Sequence, residues 1–245
     1  MKRLSLFLAF ILIAVIAMTA KTYVVAAGVA NYYDTQNRLN YPAQDATEVA
    51  KQLKKAGCSV TLLTSKNATH DNILAAVRKI AKSATSKDRF VFFYSGHGAE
   101  GLLCTYDDPS LKNTVLTYNE LADELAKMNA GQVAVFINSC HSGSVQNSVA
   151  TSDWQAKAKH SNMVFILSSE ASEYSIESNW SAGGYFTRSL INCFHGLCDA
   201  NKDRKVTYKE MYDYIYDDVV RRSKGEQHPV LLHGPNMLNA VFMKW

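Results

Sequence analysis

Two short segments of the 245-residue chain carry the residue types of nucleophilic catalysis. The apolar run 90–94 leads into Ser95-Gly96-His97-Gly98, and the apolar run 133–137 leads into Asn138-Ser139-Cys140-His141-Ser142-Gly143. A thiolate attacks a carbonyl carbon well, and an imidazole beside it takes the thiol proton and later hands it to the leaving amine. The flanking glycines let the backbone turn tightly. They would leave the N–H groups of Gly98 and Cys140 facing the oxyanion of a tetrahedral intermediate. Taken singly, a cysteine at a strand end is more often a small buried hydrophobe, and a histidine in a turn is more often merely hydrogen-bonded. Two such residues, both strand-terminal and both near glycine, point to a thiol hydrolase with Cys140 as nucleophile and His97 as base and acid. A metal centre built from His97, Cys104, Cys140 and His141 fits less well. Cys140 and His141 are adjacent and lack the two-residue spacer of structural zinc sites.

For these loops to meet, the two runs must be neighbours in a parallel sheet, whose strand carboxyl ends share one edge. Apolar runs of strand length at 22–29, 59–63, 90–94, 133–137 and 163–167 alternate with helix-period segments. All five read as apolar on both faces, the pattern of β-α-β units with helices on two sides. A first helix is expected over 44–56, with Ala46, Val49, Ala50 and Leu53 on one face and Gly57 closing it. A second starts from Thr69 as N-cap and buries Ile73, Leu74, Val77 and Ile80. Thr117-Tyr118-Asn119-Glu120 is a capping box for a third, ending at Gly131. A fourth is expected over 184–194, closing at Gly196, and a fifth over 208–222, before a last strand around 238–242. The longest polar connection, 142–162, directly follows the nucleophile, and loops of that length are usually functional. There is no internal repeat and no low-complexity tract.

Composition bounds the function. The chain is 47% hydrophobic and 20% charged with 4 Pro, which excludes disorder and a disulfide-stapled miniprotein. The 26 basic and 22 acidic residues form no long run of one sign, so a dedicated nucleic-acid binder is not expected. Met1-Lys2-Arg3 precedes an apolar stretch at 4–18 broken only by Ser5, and small residues follow, with Ala20 as the cleavage point. This is the layout of a secretory signal peptide over 1–20, leaving a domain over 21–245. The alternative is an uncleaved membrane anchor, but the stretch is short for a span and a strand begins at once with Thr22-Tyr23-Val24-Val25. Cleavage removes Lys2 and Arg3 and lowers the formal charge from +4 to +2. The expected location is therefore extracellular or periplasmic. Five cysteines, an odd number, leave at least one thiol free or paired between molecules.

The strand into Ser-Gly-His-Gly, and the strand into x-x-Cys-His-Ser-Gly 43 residues later, resemble the caspase-like cysteine peptidases, specifically the metacaspase and bacterial caspase-domain branch. Supporting matches are Gly28-Val29-Ala30-Asn31-Tyr32, Asp45-Ala46, Gly184-Tyr185-Phe186-Thr187 and Gln227-His228-Pro229. The resemblance implies an α/β caspase-like three-layer sandwich, a mostly parallel central sheet flanked by helices. It implies attack by Cys140, acid–base work by His97, an oxyanion site at Gly98 and Cys140, a polypeptide substrate, and cleavage after Arg or Lys. Matched by motif, the primary pocket positions are Asp45, Ser95 and Asn138. The last departs from the family pattern, which usually has Asp two residues before the nucleophile. One carboxylate in place of two weakens attraction for a cation, while the amide still accepts a hydrogen bond. Arg38 raises the opposite option, a pocket for acidic side chains. A caspase-fold binding or signalling module without useful activity is the competing class, and a metal-dependent hydrolase is a third.

The chemistry needs no cofactor, and calcium is the ion to consider as activator or structural element. The stretch 199–210 places Asp199, Asn201, Asp203, Thr207 and Glu210 at the oxygen positions of an EF-hand loop, but Arg204 stands where glycine should make the sharp turn. Thr207 and Glu210 are equally a capping box for the last helix. A second acidic cluster known in part of the metacaspase branch would draw on Asp107 and Asp108, with Asn147 where another acid is expected. Asn67-Ala68-Thr69 and Asn179-Trp180-Ser181 match the glycosylation acceptor pattern. Cys193 and Cys198 are near enough in sequence to bridge, though free buried thiols are the simpler state. Lys157 and Lys159 are candidate self-cleavage points. The chain is expected to act as a monomer, with no nucleic-acid partner and no membrane insertion once the leader is removed.

Overall fold

The computed structural model describes residues 20–108, 114–144, 162–178 and 183–245. Most of the leader, most of the long polar connection with Asn147, Lys157 and Lys159, and the Asn179-Trp180-Ser181 acceptor lie outside the described residues.

The central sheet has six strands in the order β12-β8-β7-β3-β1-β2. Five are the expected ones: β1 (Thr22–Gly28), β2 (Ser59–Thr64), β3 (Arg89–Ser95), β7 (Gln132–Asn138) and β8 (Met163–Leu167), all parallel. The sixth, β12 (Val230–His233), was not expected and runs antiparallel along β8. Alternate residues of each inner strand feed two cores. Val25, Phe90, Phe92, Val133 and Val135 meet helices α2 (His70–Ala81) and α3 (Tyr118–Ala126). Val24, Val91, Phe93, Ala134 and Phe136 meet α1 (Pro42–Lys55), α4 (Tyr185–Phe194) and α5 (Tyr208–Ser223). The result is an α/β three-layer sandwich, as parallel strands buried on both faces require.

Local sequence explains the helix ends. Pro42 starts α1 two residues earlier than expected, because its fixed φ suits the first helical position. Thr69 caps α2 through the Asn72 N–H, and Thr117 with Glu120 closes the capping box of α3. The same Thr-Tyr-x-Glu box, Thr207 with Glu210, opens α5, and each box follows a three-residue strand, β6 (Val115–Thr117) and β11 (Lys205–Thr207).

Three expectations need correction. Helix α3 ends at Ala126, not Gly131: Met128 N–H bonds Leu125 O and Gly131 N–H bonds Asp88 O, so the buried Met128 and Ala130 belong to a descending turn that mimics helical periodicity. Strand β2 is not apolar on both faces; it is the sheet edge, and Ser59, Thr61 and Leu62 are exposed. The last strand, β13 (Val241–Lys244), starts three residues late and pairs antiparallel with β11 outside the main sheet. A small three-stranded sheet, β4 (Gly98–Ala99), β5 (Leu102–Cys104) and β6, and a hairpin of β9 (Glu177–Ser178) with β10 (Gly183–Gly184), complete the described strands.

Candidate active site

The register of the sheet sets the site. Ser95 pairs with Gly28 on one side and Asn138 on the other, so three strands end level. The two glycine-rich loops therefore leave the same edge side by side. A cleft of about 260 Å³ opens there, lined by His97 and Cys140, by Ser95, Asn138 and Ser175, and by apolar Leu39 and Pro42.

His97 is held from three directions. Its N–H donates to the Tyr32 hydroxyl at 2.6 Å, the Tyr32 ring lies 5.0 Å from the imidazole, and the Tyr94 hydroxyl donates to His97 O at 2.8 Å. The ring Nε2 lies 2.9 Å from the carbonyl oxygen of Asn37. A carbonyl only accepts, so Nε2 carries the proton and Nδ1 keeps the lone pair in the neutral ring. Burial pulls the His97 pKa below its ordinary value, and the bond to Asn37 only partly offsets that. The imidazole is thus neutral near pH 7 with one nitrogen able to take a proton.

The loop bearing Cys140 is pinned just as closely. Ser139 N–H donates to Ser168 Oγ at 3.1 Å, whose hydroxyl bonds back to Ser139 O, and Gly143 N–H donates to Ser169 O at 2.8 Å. His141 follows with φ of 55°, the left-handed region, at a cost of about 1 kcal/mol. Its N–H to Glu173 O and its Nδ1 to Ala171 O, both 2.8 Å, hold that conformation. Cys140 itself is half-buried. Among the described residues no hydrogen bond joins the His97 ring to its thiol; what they share is the cleft. Gly98 presses on the same loop: a Cβ there would stand 2.7 Å from Ser139 Oγ and 3.1 Å from Cys140 O.

The expected pocket residues come together. Asp45, buried in the first turn of α1, accepts at Oδ2 from Ser95 Oγ (3.0 Å), Asn138 Nδ2 (3.1 Å) and Thr187 Oγ1 (3.1 Å). Asn138 Oδ1 accepts from Ser175 Oγ at 2.5 Å. The carboxylate therefore stands one layer behind the cleft wall, reached through Ser95 and Asn138. Arg38 is exposed and does not line the cleft. Reading by residue type missed four contributors. Asn37 acts through a carbonyl that any residue has, Ser175 arrives on a loop without periodicity, and Tyr32 and Thr187 stand in the sequence only as members of supporting motifs.

The cysteines separate by environment. All five are free, so Cys193 and Cys198 are not bridged. Burial pushes up the thiols of Cys58 and Cys193, and that of Cys104 to about 12, with Asp108 and Cys140 adding to the Cys104 shift. None of these three is poised as a thiolate.

The oxygens of the expected calcium loop serve its own backbone. Asp199 accepts from the N–H groups of Asp203 and Arg204, Asn201 from Asp203 N–H, and Asp203 from Lys205 N–H. Glu210 accepts from Thr207 N–H and hydroxyl as a helix cap. Arg204 adopts a φ of 63°, the turn that favours glycine. Asp107 accepts from His70 N–H and the Thr105 hydroxyl. Among the described residues no three His, Cys, Asp or Glu side chains converge as metal ligands.

With this geometry in place, the comparisons with known proteins are specific. The caspase domain of the C14 peptidases matches residues 21–236. The chain belongs to the caspase-domain peptidase family. That family places it among the cysteine peptidases, which act on polypeptides. A protein of known structure from Geobacter sulfurreducens superimposes with a TM-score of 0.66 over 90% of this chain and 97% of its own, at 22% identity, a likeness of fold. A search of the curated proteins gave no match. No helix among the described residues is long and apolar enough to cross a membrane.

Proposed function

We propose that this caspase-domain protein is an exported cysteine endopeptidase that hydrolyses polypeptides after Arg or Lys. The observation that carries the reading is the placing of His97 and Cys140 in one cleft, with His97 Nε2 tied to Asn37 O and its Nδ1 lone pair left to serve as base. His97 takes the thiol proton as Cys140 Sγ attacks the scissile carbonyl carbon. The N–H groups of Gly98 and Cys140 receive the oxyanion. The imidazolium then protonates the departing amine, and water, activated by the same ring, releases the acyl group. No cofactor enters these steps.

The preference for a basic side chain rests on Asp45, the carboxylate behind the Ser95 and Asn138 wall. Arg38 gives an acidic side chain no support, being exposed and away from the cleft lining. In the test, Cys140→Ala loses turnover of Arg- and Lys-ending fluorogenic peptides while its thermal midpoint stays within a few degrees. Iodoacetamide should inactivate the wild type. Turnover surviving in Cys140→Ala would sink the mechanism, and a P1 library preferring Asp would sink the pocket assignment.

A further inference from the structure

At the end of β3 opposite the cleft, Asp88 is only 6% exposed. Its Oδ2 accepts from the Thr85 N–H and hydroxyl, both at 2.8 Å, and its Oδ1 accepts from the backbone N–H of Lys21, also at 2.8 Å. Residue 21 is fixed there, because Arg89 N–H donates to Lys21 O at 2.8 Å and Thr22 pairs with Arg89 in the sheet. The preceding residue, Ala20, is exposed. Burial alone would push the Asp88 carboxyl up, but these donors and the nearby Lys21 charge outweigh it and hold the group below its ordinary value. Few charges surround it. Lys87 is exposed, the Arg89 guanidinium is committed to Gln132 and the carbonyls of Val241 and Phe242, and from the segment before β7 the Gly131 N–H bonds Asp88 O. Among the described residues no side-chain cation forms an ion pair with this covered carboxylate.

We propose that the chain is processed between Ala20 and Lys21, and that the α-ammonium so released pairs with Asp88 and locks β1 to β3. Hydrolysis of that exposed bond by a leader peptidase consumes one water. The Ala20 carbonyl leaves as a carboxylate on the leader, and the Lys21 nitrogen, taking up protons, becomes an ammonium. The nitrogen need not move. It changes from a neutral amide with one N–H into a charged group with three, and charge-assisted hydrogen bonds are roughly twice as strong as neutral ones. A cut one residue earlier would leave an amide at the Asp88 site and carry the charge about 3.5 Å outward. A cut one residue later would remove the donor. The proposal rests on the expected leader and does not require the proposed peptidase activity.

Expression of the full chain with its own leader in a bacterial host, followed by intact-mass analysis of the exported product, should give Lys21 as first residue. Any other first residue overturns the proposal. The thermal midpoint of that product should exceed that of Asp88→Asn by roughly 3–6 °C near pH 7. The sign follows from a cation held protonated by its partner. The stabilisation by the ammonium is complete below the ordinary α-amino value of about 8 and is lost as pH rises through the raised folded value, so the gap narrows by about pH 10 to what the Thr85 bonds to Asp88 contribute. A gap unchanged with pH overturns the pairing. If Asp88→Asn does not fold, the comparison is with a product beginning at Ala20, made with a leader cut one residue earlier. It should melt below the Lys21 product near pH 7 and match it by about pH 10, and equal midpoints near pH 7 overturn the pairing.

Discussion

Gly98→Ala tests the approach of the two catalytic loops. The added Cβ would lie 2.7 Å from Ser139 Oγ, 3.0 Å from Ser139 Cβ and 3.1 Å from Cys140 O. Rotation of the Ser139 hydroxyl relieves the first contact but not the other two. The Ser139 backbone cannot retreat, because its N–H and carbonyl are both bonded to Ser168 Oγ. The loops must therefore part by a few tenths of an ångström, at a cost of about 1–3 kcal/mol if the strain were taken up by stability alone. Most of it should instead appear at the oxyanion site, where loss of one donor costs about 3–4 kcal/mol and a displaced donor less. We expect kcat to fall roughly 10- to 100-fold with KM changed little. Adding Ser139→Gly removes the two Ser139 contacts and leaves only Cys140 O, so the double variant should recover most of the lost kcat. The assay is steady-state turnover of Lys- and Arg-ending peptides, with thermal midpoints measured in parallel. The reasoning is refuted if Gly98→Ala keeps kcat within about twofold, or if the double variant is no faster than Gly98→Ala.

Three further predictions follow from the same geometry. Because burial lowers the His97 pKa, the base form persists to lower pH, and the acid limb of kcat/KM should fall below the ordinary imidazole value of about 6.5; a limb at or above it contradicts the assignment of His97 as a buried neutral base. A Cβ on Gly183 would stand 2.7 Å from Asp45 Oδ1 and 3.7 Å from Arg188 Nε, so the guanidinium lies close enough to offset the pocket charge. Arg188→Gln should raise kcat/KM for basic over neutral P1 residues by about 3- to 10-fold, mainly through KM, whereas a change independent of P1 would mean that Arg188 serves only α4. Glu173 bonds His228 Nδ1 at 2.6 Å and His228 N–H at 2.7 Å; burial works against its ionisation, but these donors hold its carboxyl below the ordinary value. Its contribution to stability is present above the ordinary carboxylate range and lost as pH falls through the lowered value, so Glu173→Gln should melt lower than wild type near pH 7 and converge with it in acid, as followed by thermal scans.

The parts of the fold that show in the sequence are those with strong local cause. Four of the five expected strands bury both faces or end at glycine-rich turns, β2 at the sheet edge being the exception, and Thr69, Thr117 and Thr207 announce their helices through caps that use side chains. What stayed hidden is set by tertiary partners. Val230–His233 is four residues without alternation, and only β8 beside it makes it a strand. Ala130 and Met128 keep a helical period while buried in a turn, because the core does not record which backbone carries an apolar side chain. In the site, the two named catalytic residues stand in one cleft, yet the orientation of His97 depends on a backbone carbonyl and a tyrosine 65 residues away in sequence.

Strand β3 connects the amino-end and carboxyl-end edges of the sheet. Arg89 at its foot pairs with Thr22 and Gln132, and Ser95 at its head pairs with Gly28 and Asn138. Its residues from Phe90 to Ser95 are buried, so a slip of one residue would turn Phe90, Phe92 and Tyr94 to the opposite face and empty both cores. Register fixed at the foot is therefore register fixed at the head. The bonds among Lys21, Asp88 and Arg89, and that of Arg89 Nε to Gln132, level the three strands eight residues before His97 and Cys140, which must face each other. A loosened foot should then show itself in catalysis as well as in melting: positions that never touch substrate would lower kcat through the spacing of two loops, while leaving KM near its wild-type value.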